Sequence, residues 1–340
     1  MDYKTLSEIA TNFRYGKMPD KSKITDSGDY PVWSGYRYVG YYDEKNVNKD
    51  EIVVVARGVG GTGDVKICRE DCFLTNLSIA FKANEDINPL YVYYFYQIKN
   101  LRYLDSGSAQ SQITINDLKN VKIPIPNKNI QDKIVEVLNK IDQKIELNNQ
   151  INNNLYELIK NNYDSLISNS DWDEVELGGI ANITSGKRPN DKLVIGKYPV
   201  IGANGVMSYT SEFNFDEDLI ITGRVGTLGV VKRYSEQIWA SDNTLVVQTK
   251  YLNYVENYMR TIDYYSLNRG STQPLLTQGD LKKQMVKFNE ESILKFEEEN
   301  QIFIDKIRNN EKENKNLEQL RDTLLPRLMN GEIDLDNIEI

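Results

Sequence analysis

The fold follows from a stretch of sequence that occurs twice, "GSAQSQITINDLKNVKIPI" at 107–125 and "GSTQPLLTQGDLKKQMVKF" at 270–288. The copies lie about 165 residues apart, and further segments repeat in the same order at a similar spacing. The segment "EIVVVARGVGGTGDVK" (51–66), for example, matches "DLIITGRVGTLGVVK" (218–232). This pattern indicates a tandem duplication of one folded unit.

Each copy contains signals for both strands and helices. Short β-branched runs such as "EIVVVA", "DLIITG" and "TLVVQ" are bounded by Gly, Asn or Asp and predict strands. Tyrosine-rich stretches predict helices over 88–104 and 252–267, opened by Asn88-Pro89 in the first copy and by Asn253 in the second. Each copy is therefore expected to be a mixed α+β domain.

A long segment with the periodicity of an amphipathic helix follows each domain, at 128–168 and at 290–325, and neither segment contains Pro or Gly. Both segments turn polar midway, and asparagine at a helix–helix seam specifies register at a cost in stability. We therefore expect the two helices to pair antiparallel. The predicted seam residues are Ile134, Ile141, Asn148, Leu155, Phe303, Ile307, Asn310, Asn314, Leu317 and Leu324.

The sequence thus predicts an α+β protein in which two similar domains are separated by two long helices that form an antiparallel coiled coil with pseudo-two-fold symmetry. The first domain is expected at 1–127 and the first helix at 128–170. The second domain is expected at 171–289, and the second helix with a C-terminal tail at 290–340.

The glycine-rich loop at 53–66 resembles a phosphate-binding loop at first sight. Such a loop lies between a strand and the N-terminus of a helix. Here "DVKIC" or "VVKRY" follows and predicts a second strand, and the lysine-Ser/Thr pair of a P-loop is missing. We interpret the loop as a β-hairpin with an arginine at its base, where glycine permits close approach of a partner.

An arginine beside such a loop suits a guanine edge or a phosphate, and glutamine suits adenine. The basic residues in the first turn of each copy, Arg14, Lys17, Lys187 and Arg188, are predicted to meet phosphates. Residue types that recur in both copies are the candidate DNA contacts, with ordinary solvated or turn roles as the alternative for each. In the first copy they are Arg14, Lys17, Arg57, Lys66, Asn76, Ser108, Gln110 and Gln112. In the second copy they are Lys187, Arg188, Arg224, Lys232, Asn243, Ser271, Thr272 and Gln273, with Arg57 matched to Arg224, Lys66 to Lys232 and Asn76 to Asn243.

The chain contains no histidine and only two cysteines, Cys68 and Cys72. The absence of histidine removes the commonest general base, the Ser-His and Cys-His nucleophile pairs and histidine-ligated metals. Two cysteines complete no zinc site, and their low number favours a reducing cytosol. We therefore expect no catalytic residue and no metal in this chain. We also expect a cytoplasmic location, because no signal peptide or membrane-spanning stretch is present.

The net charge of −9 argues against a protein that binds DNA on its own. The excess is concentrated in 290–340, which carries 7 basic and 14 acidic residues. The rest of the chain is therefore close to neutral and can hold local basic faces. Partner subunits that add basic surface would make DNA binding compatible with this charge.

The chain resembles the specificity subunits of type I DNA restriction–modification systems over its whole length. The most specific segments are "GSAQSQITINDLKNVKIPIPNKNIQDKIVEVLNKIDQKI" (107–145) and "LRDTLLPRLMNGEIDL" (320–335). The resemblance implies two target recognition domains that each read half of a bipartite double-stranded DNA sequence. It also implies docking of two methyltransferase subunits and, through the complex, of restriction subunits. S-adenosylmethionine, ATP and Mg would be bound by those partners and not by this chain.

Two other functions compete with this interpretation. An enzyme with duplicated cofactor domains requires a strand–loop–helix context that the sequence lacks, and it would bind S-adenosylmethionine in equilibrium dialysis. A coiled-coil scaffold that binds only protein would show no sequence-specific shift of DNA in a gel.

Overall fold

The computed structural model describes residues 2–58, 61–105, 111–168 and 171–333. The chain forms two compact units, here called the first unit (Met1–Leu147 with Glu313–Ile340) and the second unit (Asn148–Lys312). The predicted domain boundaries separate the long helices from the domains, whereas the compact units divide both helices. Those boundaries therefore stay a prediction.

Within the described residues, the domain of the first unit combines short strands with short α-helices and two 3₁₀-helices, Lys21–Lys23 and Arg102–Leu104. Its strands are β1 Asp2–Thr5, β2 Ala10–Tyr15, β3 Tyr30–Ser34, β4 Arg37–Tyr42, β5 Ile52–Val55, β6 Val65–Ile67, β7 Phe73–Leu74, β8 Ser78–Ala83 and β9 Lys122–Ile125. Its helices are α1 Leu6–Ile9, α2 Pro89–Ile98 and α3 Ile115–Lys119, and α4 Lys128–Ser168 follows them.

The domain of the second unit repeats this order. Its strands are β10 Glu174–Glu176, β11 Asn182–Ser185, β12 Tyr198–Gly202, β13 Gly205–Thr210, β14 Leu219–Gly223, β15 Val231–Tyr234, β16 Trp239–Ala240, β17 Thr244–Gln248 and β18 Met285–Lys287. Its helices are α5 Leu177–Ile180, α6 Leu252–Thr261 and α7 Gln278–Lys282, and α8 Glu290–Met329 follows them.

The sheets of the two units share one topology. In the first unit the strand orders are β2-β8-β5-β6, β4-β3-β7 and β1-β9. In the second unit they are β11-β17-β14-β15, β13-β12-β16 and β10-β18, strand for strand the same. The hairpin interpretation of the glycine loop is confirmed in both, because β5 pairs antiparallel with β6 and β14 with β15.

The two long helices run antiparallel within each unit. The N-terminal half of α4 packs with the C-terminal part of α8 in the first unit, where Ile134, Leu138, Leu325 and Leu328 are buried in one core. The C-terminal half of α4 packs with the N-terminal half of α8 in the second unit, which buries Ile159, Tyr163, Phe296 and Ile304. The predicted α+β class, the duplicated domain and the antiparallel coiled-coil pairing of the long helices are confirmed.

Most of the predicted seam residues are buried. Ile134, Ile141, Asn148, Ile307, Asn310 and Asn314 are buried, and Leu155, Phe303, Leu317 and Leu324 are half-buried. The amide of Asn310 donates a 2.7 Å hydrogen bond to Oδ1 of Asn152. A polar contact therefore occupies the interior of the helix pair in the second unit.

Helix α8 continues past the end predicted for it at residue 325 and includes Pro326. Proline lacks the amide that would complete the preceding turn. The residues on both sides, Leu325, Leu328 and Met329, are buried in the core of the first unit. We attribute the continuation of the helix to this burial.

The two tyrosine-rich helices are shorter than predicted. Helix α2 begins as expected, with Asn88 as N-cap and Pro89 in the first turn. The prediction that Asn253 opens the second helix is wrong. Helix α6 begins at Leu252, and the carboxylate of Glu297 on α8 accepts hydrogen bonds from the amides of Asn253 and Tyr254. A side chain from another element replaces the local cap.

Candidate nucleic-acid interface

Three segments of the first domain meet around the arginine–glycine loop that follows β5. The amide of Ala56 donates to the carbonyl of Leu77, in the turn before β8, over 2.8 Å. The amide of Ile113, from the segment before α3, donates to the carbonyl of Ala56 over 2.9 Å. Backbone hydrogen bonds therefore set the mutual position of these loops and leave their side chains available for recognition.

The second domain repeats this framework around Arg224. The amide of Arg224 donates to the carbonyl of Asn243 over 2.8 Å, and the amide of Leu276 donates to the carbonyl of Arg224 over 2.8 Å. Arg224 thus occupies the place of Ala56, and Val225 the place of Arg57, because Arg57 pairs with Gln112 as Val225 pairs with Leu275.

This register corrects the residue matches that the sequence alignment predicts. The counterpart of Arg57 is Val225, the counterpart of Asn243 is Leu77, and Asn76 corresponds to Asp242. The two glycines that follow, Gly58 and Gly226, also correspond, and both have positive φ values, 121° and 83°. In extended backbone a shift of one residue changes the face to which a side chain points. The two arginines are therefore not placed alike.

Both arginines are half-buried within their loops. The guanidinium carbon of Arg57 lies 5.7 Å from the ring centroid of Tyr15, a cation–π distance. In each arginine the Nε atom is buried and has no hydrogen-bond partner among the described residues. A buried donor without a partner is costly, so both guanidinium groups are suited to an external acceptor.

The loop before α3, like the loop before α7, is closed by one polar side chain. Asp105 Oδ1 accepts from the amide of Gln112 over 2.8 Å, and Asn268 Oδ1 accepts from the amide of Leu275 over 2.9 Å. In the second domain the predicted contacts Ser271, Thr272 and Gln273 are exposed in this loop. Gln273 lies beside Gly226, so it is close to the arginine loop. The predicted contacts Ser108 and Gln110 lie outside the described residues.

The two matched lysines have the same internal contact. Lys66 Nζ donates to the carbonyl of Tyr36, and Lys232 Nζ donates to the carbonyl of Asn204, each over 3.2 Å. Burial lowers the pKa of Lys66, and the nearby Asp64 opposes this effect. Each lysine therefore ties the hairpin of β3–β4 or β12–β13 to the strand that carries it.

The four cations predicted to meet phosphates differ in their surroundings. Lys17, Lys187 and Arg188 are exposed. Arg14 instead forms a 2.6 Å ion pair with the buried carboxylate of Glu51 and donates to the carbonyl of Asn46 over 2.8 Å. The structure thus gives Arg14 an internal role. The sequence offered no signal for it, because Glu51 and Asn46 are more than 30 residues away.

Sequence reasoning missed three residues of the second domain. Lys192, Ser241 and Asp242 line one cavity together with the predicted contacts Arg188 and Asn243. No repeat marks this set, since the first domain has Thr75 and Asn76 at the places of Ser241 and Asp242. Only the tertiary structure brings the segments around 188 and 242 together.

The remaining chemistry of the described residues is sparse. Within the described ranges no group of three or more His, Cys, Asp or Glu side chains is arranged to hold a metal ion. Cys68 and Cys72 are free and buried. None of the helices in the described part of the chain is long and apolar enough to span a membrane.

The family model described as the type I restriction modification DNA specificity domain matches residues 1–157 and 169–321. The chain belongs to this family. It is a specificity subunit of a type I restriction–modification system with two recognition domains, one in each matched range. The domain of the first unit is called the first recognition domain below, and that of the second unit the second recognition domain.

Individual relatives agree with this assignment. The type I restriction enzyme MjaIX specificity subunit of Methanocaldococcus jannaschii is 25% identical over 301 residues, which cover 73% of this chain and 70% of that protein. The type I restriction enzyme EcoprrI specificity subunit of Escherichia coli is 29% identical over 224 residues, or 58% of this chain and 56% of that protein.

A solved structure has the same fold. The crystal structure of the type I restriction–modification system S subunit from M. genitalium aligns with a TM-score of 0.65. The alignment covers 96% of this chain and 95% of that chain at 22% identity. The likeness extends over both recognition domains and both long helices.

Proposed function

We propose that each recognition domain of this subunit reads one half of a bipartite double-stranded DNA target and that the chain itself performs no chemical step. The observation that carries this proposal is a shared backbone framework with different side chains. Identical hydrogen bonds hold Ala56 and Arg224 in their loops. The second domain therefore has its arginine at this position, whereas the first domain has its arginine one residue later, at Arg57. Two frameworks with different contact residues suit two different half-sequences.

The proposal extends to the partners of the chain. Two methyltransferase subunits dock on this subunit and restriction subunits join through the complex, with S-adenosylmethionine, ATP and Mg bound by those partners. The charge distribution supports this arrangement. A net charge of −9 leaves too little phosphate neutralisation for tight DNA binding by the chain alone. Partners would supply basic surface, and the complex would act in the cytoplasm.

Substitution of the two arginines tests the assignment of half-sites. Arg57→Ala is expected to reduce discrimination at one half-site, and Arg224→Ala at the other, each by about 1–3 kcal/mol, because each removes a charged donor without another partner. The measurement is competition binding of the assembled complex to duplexes altered in one half-site. Val225→Ala is the matched control, since Val225 takes the place of Arg57 in the second domain.

If both arginine variants bind every duplex as the parent does, the loops are structural and this assignment is wrong. If the parent complex itself selects no bipartite sequence, the proposed function fails.

The helix pair is proposed to set the gap between the half-sites. Insertion of four residues near Asn149, with a matching insertion near Asn314, adds about 6 Å of helix, close to two base pairs. Mapping of methylated adenines in a host that expresses the complex is expected to show a longer gap between unchanged half-sites. An unchanged gap would refute this role.

A further inference from the structure

The cavity in the second recognition domain is built from segments that are distant in sequence. Arg188 and Lys192 follow strand β11, and Ser241, Asp242 and Asn243 form the turn between β16 and β17. Its volume is about 220 Å³, and buried Val200 contributes to its lining. The cavity adjoins the arginine loop, because the carbonyl of Asn243 accepts from the amide of Arg224.

The buried hydroxyl of Ser241 makes the cavity suited to a polar ligand. Ser241 is only 2% exposed, and its Oγ has no hydrogen-bond partner within the described structure. The counterpart in the first domain, Thr75, donates from its hydroxyl to Oγ of Ser34 over 3.4 Å. The unpaired hydroxyl is therefore a property of the second domain and not of the shared framework.

The charges around the cavity are of mixed sign. The side chains of Arg188, Lys192 and Asp242 are all exposed at its rim. A DNA phosphate offers only acceptors and would be repelled by the carboxylate of Asp242. A G·C pair presents guanine N7 and O6 as acceptors beside the N4 donor of cytosine in the major groove, and arginine and aspartate are the matching side chains.

The first recognition domain lacks this set. The backbone amides of Lys17 and Lys187 donate to the corresponding carbonyls of Leu74 and Ala240. The next residue is Met18 in the first domain and Arg188 in the second, so Met18 takes the place of Arg188. Asn76 and Leu77 stand where the second domain has Asp242 and Asn243. The mixed-charge cavity is therefore specific to one half-site reader.

Resting on the proposed function, we propose that this cavity reads one G·C base pair in the half-site of the second recognition domain. Arg188 donates to guanine N7 and O6, Asp242 accepts from cytosine N4, and Ser241 adds a hydrogen bond at the base edge. Lys192 contacts the adjacent phosphate.

The test uses the full chain assembled with its methyltransferase subunits. Methylated adenines are mapped for the parent, for Arg188→Met and Asp242→Asn, and for the matched control Met18→Ala in the first domain. We expect the parent half-site of the second domain to contain a G·C pair at which preference falls roughly tenfold to a hundredfold in both variants. Met18→Ala leaves that half-site unchanged.

An atom-level probe sharpens the test. A duplex with 7-deazaguanine at that pair lacks the N7 acceptor, so the parent complex is expected to bind it less tightly than the ordinary duplex. Arg188→Met should bind both duplexes equally. Both exchanged side chains are exposed, and a thermal melt of each variant that matches the parent shows that folding is intact.

The outcomes separate the two levels of inference. If the parent complex has a bipartite target and Arg188→Met and Asp242→Asn keep its sequence preference, the proposed role of the cavity is wrong. The proposed function would then still stand. A parent complex that selects no bipartite target overturns both.

Discussion

The two recognition domains share every strand neighbour, but they attach to the long helices through different chemistry. In the first unit, Tyr94 on α2 donates to Asp142 over 2.7 Å, and Arg321 donates to the same carboxylate over 3.1 Å. In the second unit, the carboxylate of Glu297 accepts from the backbone amides at the start of α6, and burial raises the pKa of Glu297.

The two units share backbone geometry and, among other contacts, one made by a buried tyrosine. Tyr91 and Tyr254 are both buried, and their hydroxyls donate to the carbonyls of Pro124 in β9 and Lys287 in β18. Each of these strands precedes a long helix. The fold therefore constrains the strands and this tyrosine, whereas ion pairs and loop side chains were free to diverge. Divergence in the loops supports the proposal that the two domains read different half-sites.

The largest expected effect on stability comes from the Arg14–Glu51 ion pair, which has no counterpart at Thr184 in the second unit. Arg14→Ala leaves the buried Glu51 carboxylate without its cation and is expected to lower the free energy of unfolding by about 3 kcal/mol. The control is Thr184→Ala at the same strand position of the second domain, where about 0.5 kcal/mol or less is expected. Urea denaturation of the full chain measures both.

If Arg14→Ala unfolds at the same urea concentration as the parent but weakens DNA binding, Arg14 contacts a phosphate as the sequence predicts, and the structural role is wrong.

A second difference concerns the helix pair, in which the second unit buries the Asn152–Asn310 hydrogen bond. Asn310→Ala removes the donor to the buried side-chain Oδ1 of Asn152 and is expected to cost about 2 kcal/mol. Lys144→Ala, which removes the exposed ion pair with Glu313, is the control and should cost less than about 1 kcal/mol.

Equal melting temperatures of these two variants would show that the buried asparagines contribute nothing beyond the surface pair. Replacement of both Asn152 and Asn310 by leucine separates stability from register. The double variant should be at least as stable as Asn310→Ala, since no polar group remains unpaired.

The smallest effect is expected at Asp280, which bonds Arg269 and Thr277 at the start of α7. These hydrogen bonds, with Arg269 first, lower the pKa of Asp280 to about 2 from its ordinary value of 3.8. A depressed pKa in the folded state contributes stability above the ordinary value, and this contribution is lost as the pH falls from about 4 to about 2.

Asp280→Asn is therefore expected to cost about 0.5–1 kcal/mol at pH 7, because Arg269 is largely exposed. The cost should shrink toward zero near pH 2. Asp117→Asn is the control at the same position of α3, where the carboxylate bonds Thr114. Equal costs for Asp280→Asn at pH 7 and pH 2 would exclude the linkage, and urea titrations at both values decide.

Much of the fold was predictable because its signals are local or repeated. Hydrophobic periodicity marked α4 and α8, the Asn88-Pro89 pair marked the start of α2, and β-branched runs marked β5, β14 and β17. The capping of α6 was not predictable, because Glu297, which accepts from its first amides, is more than 40 residues away. The candidate site was predictable in its loops but not in its residue matches, since one step of strand register separates Arg57 from Arg224.

The sequence by itself determined that one α+β unit is present twice, that each copy continues into a long amphipathic helix, and that histidine-based catalysis is absent. These properties follow from composition and periodicity, which do not depend on contacts between distant residues. Only the tertiary structure decided which cations are committed internally, as Arg14 is, and which side chains converge, as Arg188 and Asp242 do. Burial and cross-strand hydrogen bonds depend on residues far apart in the chain, and no local pattern encodes them.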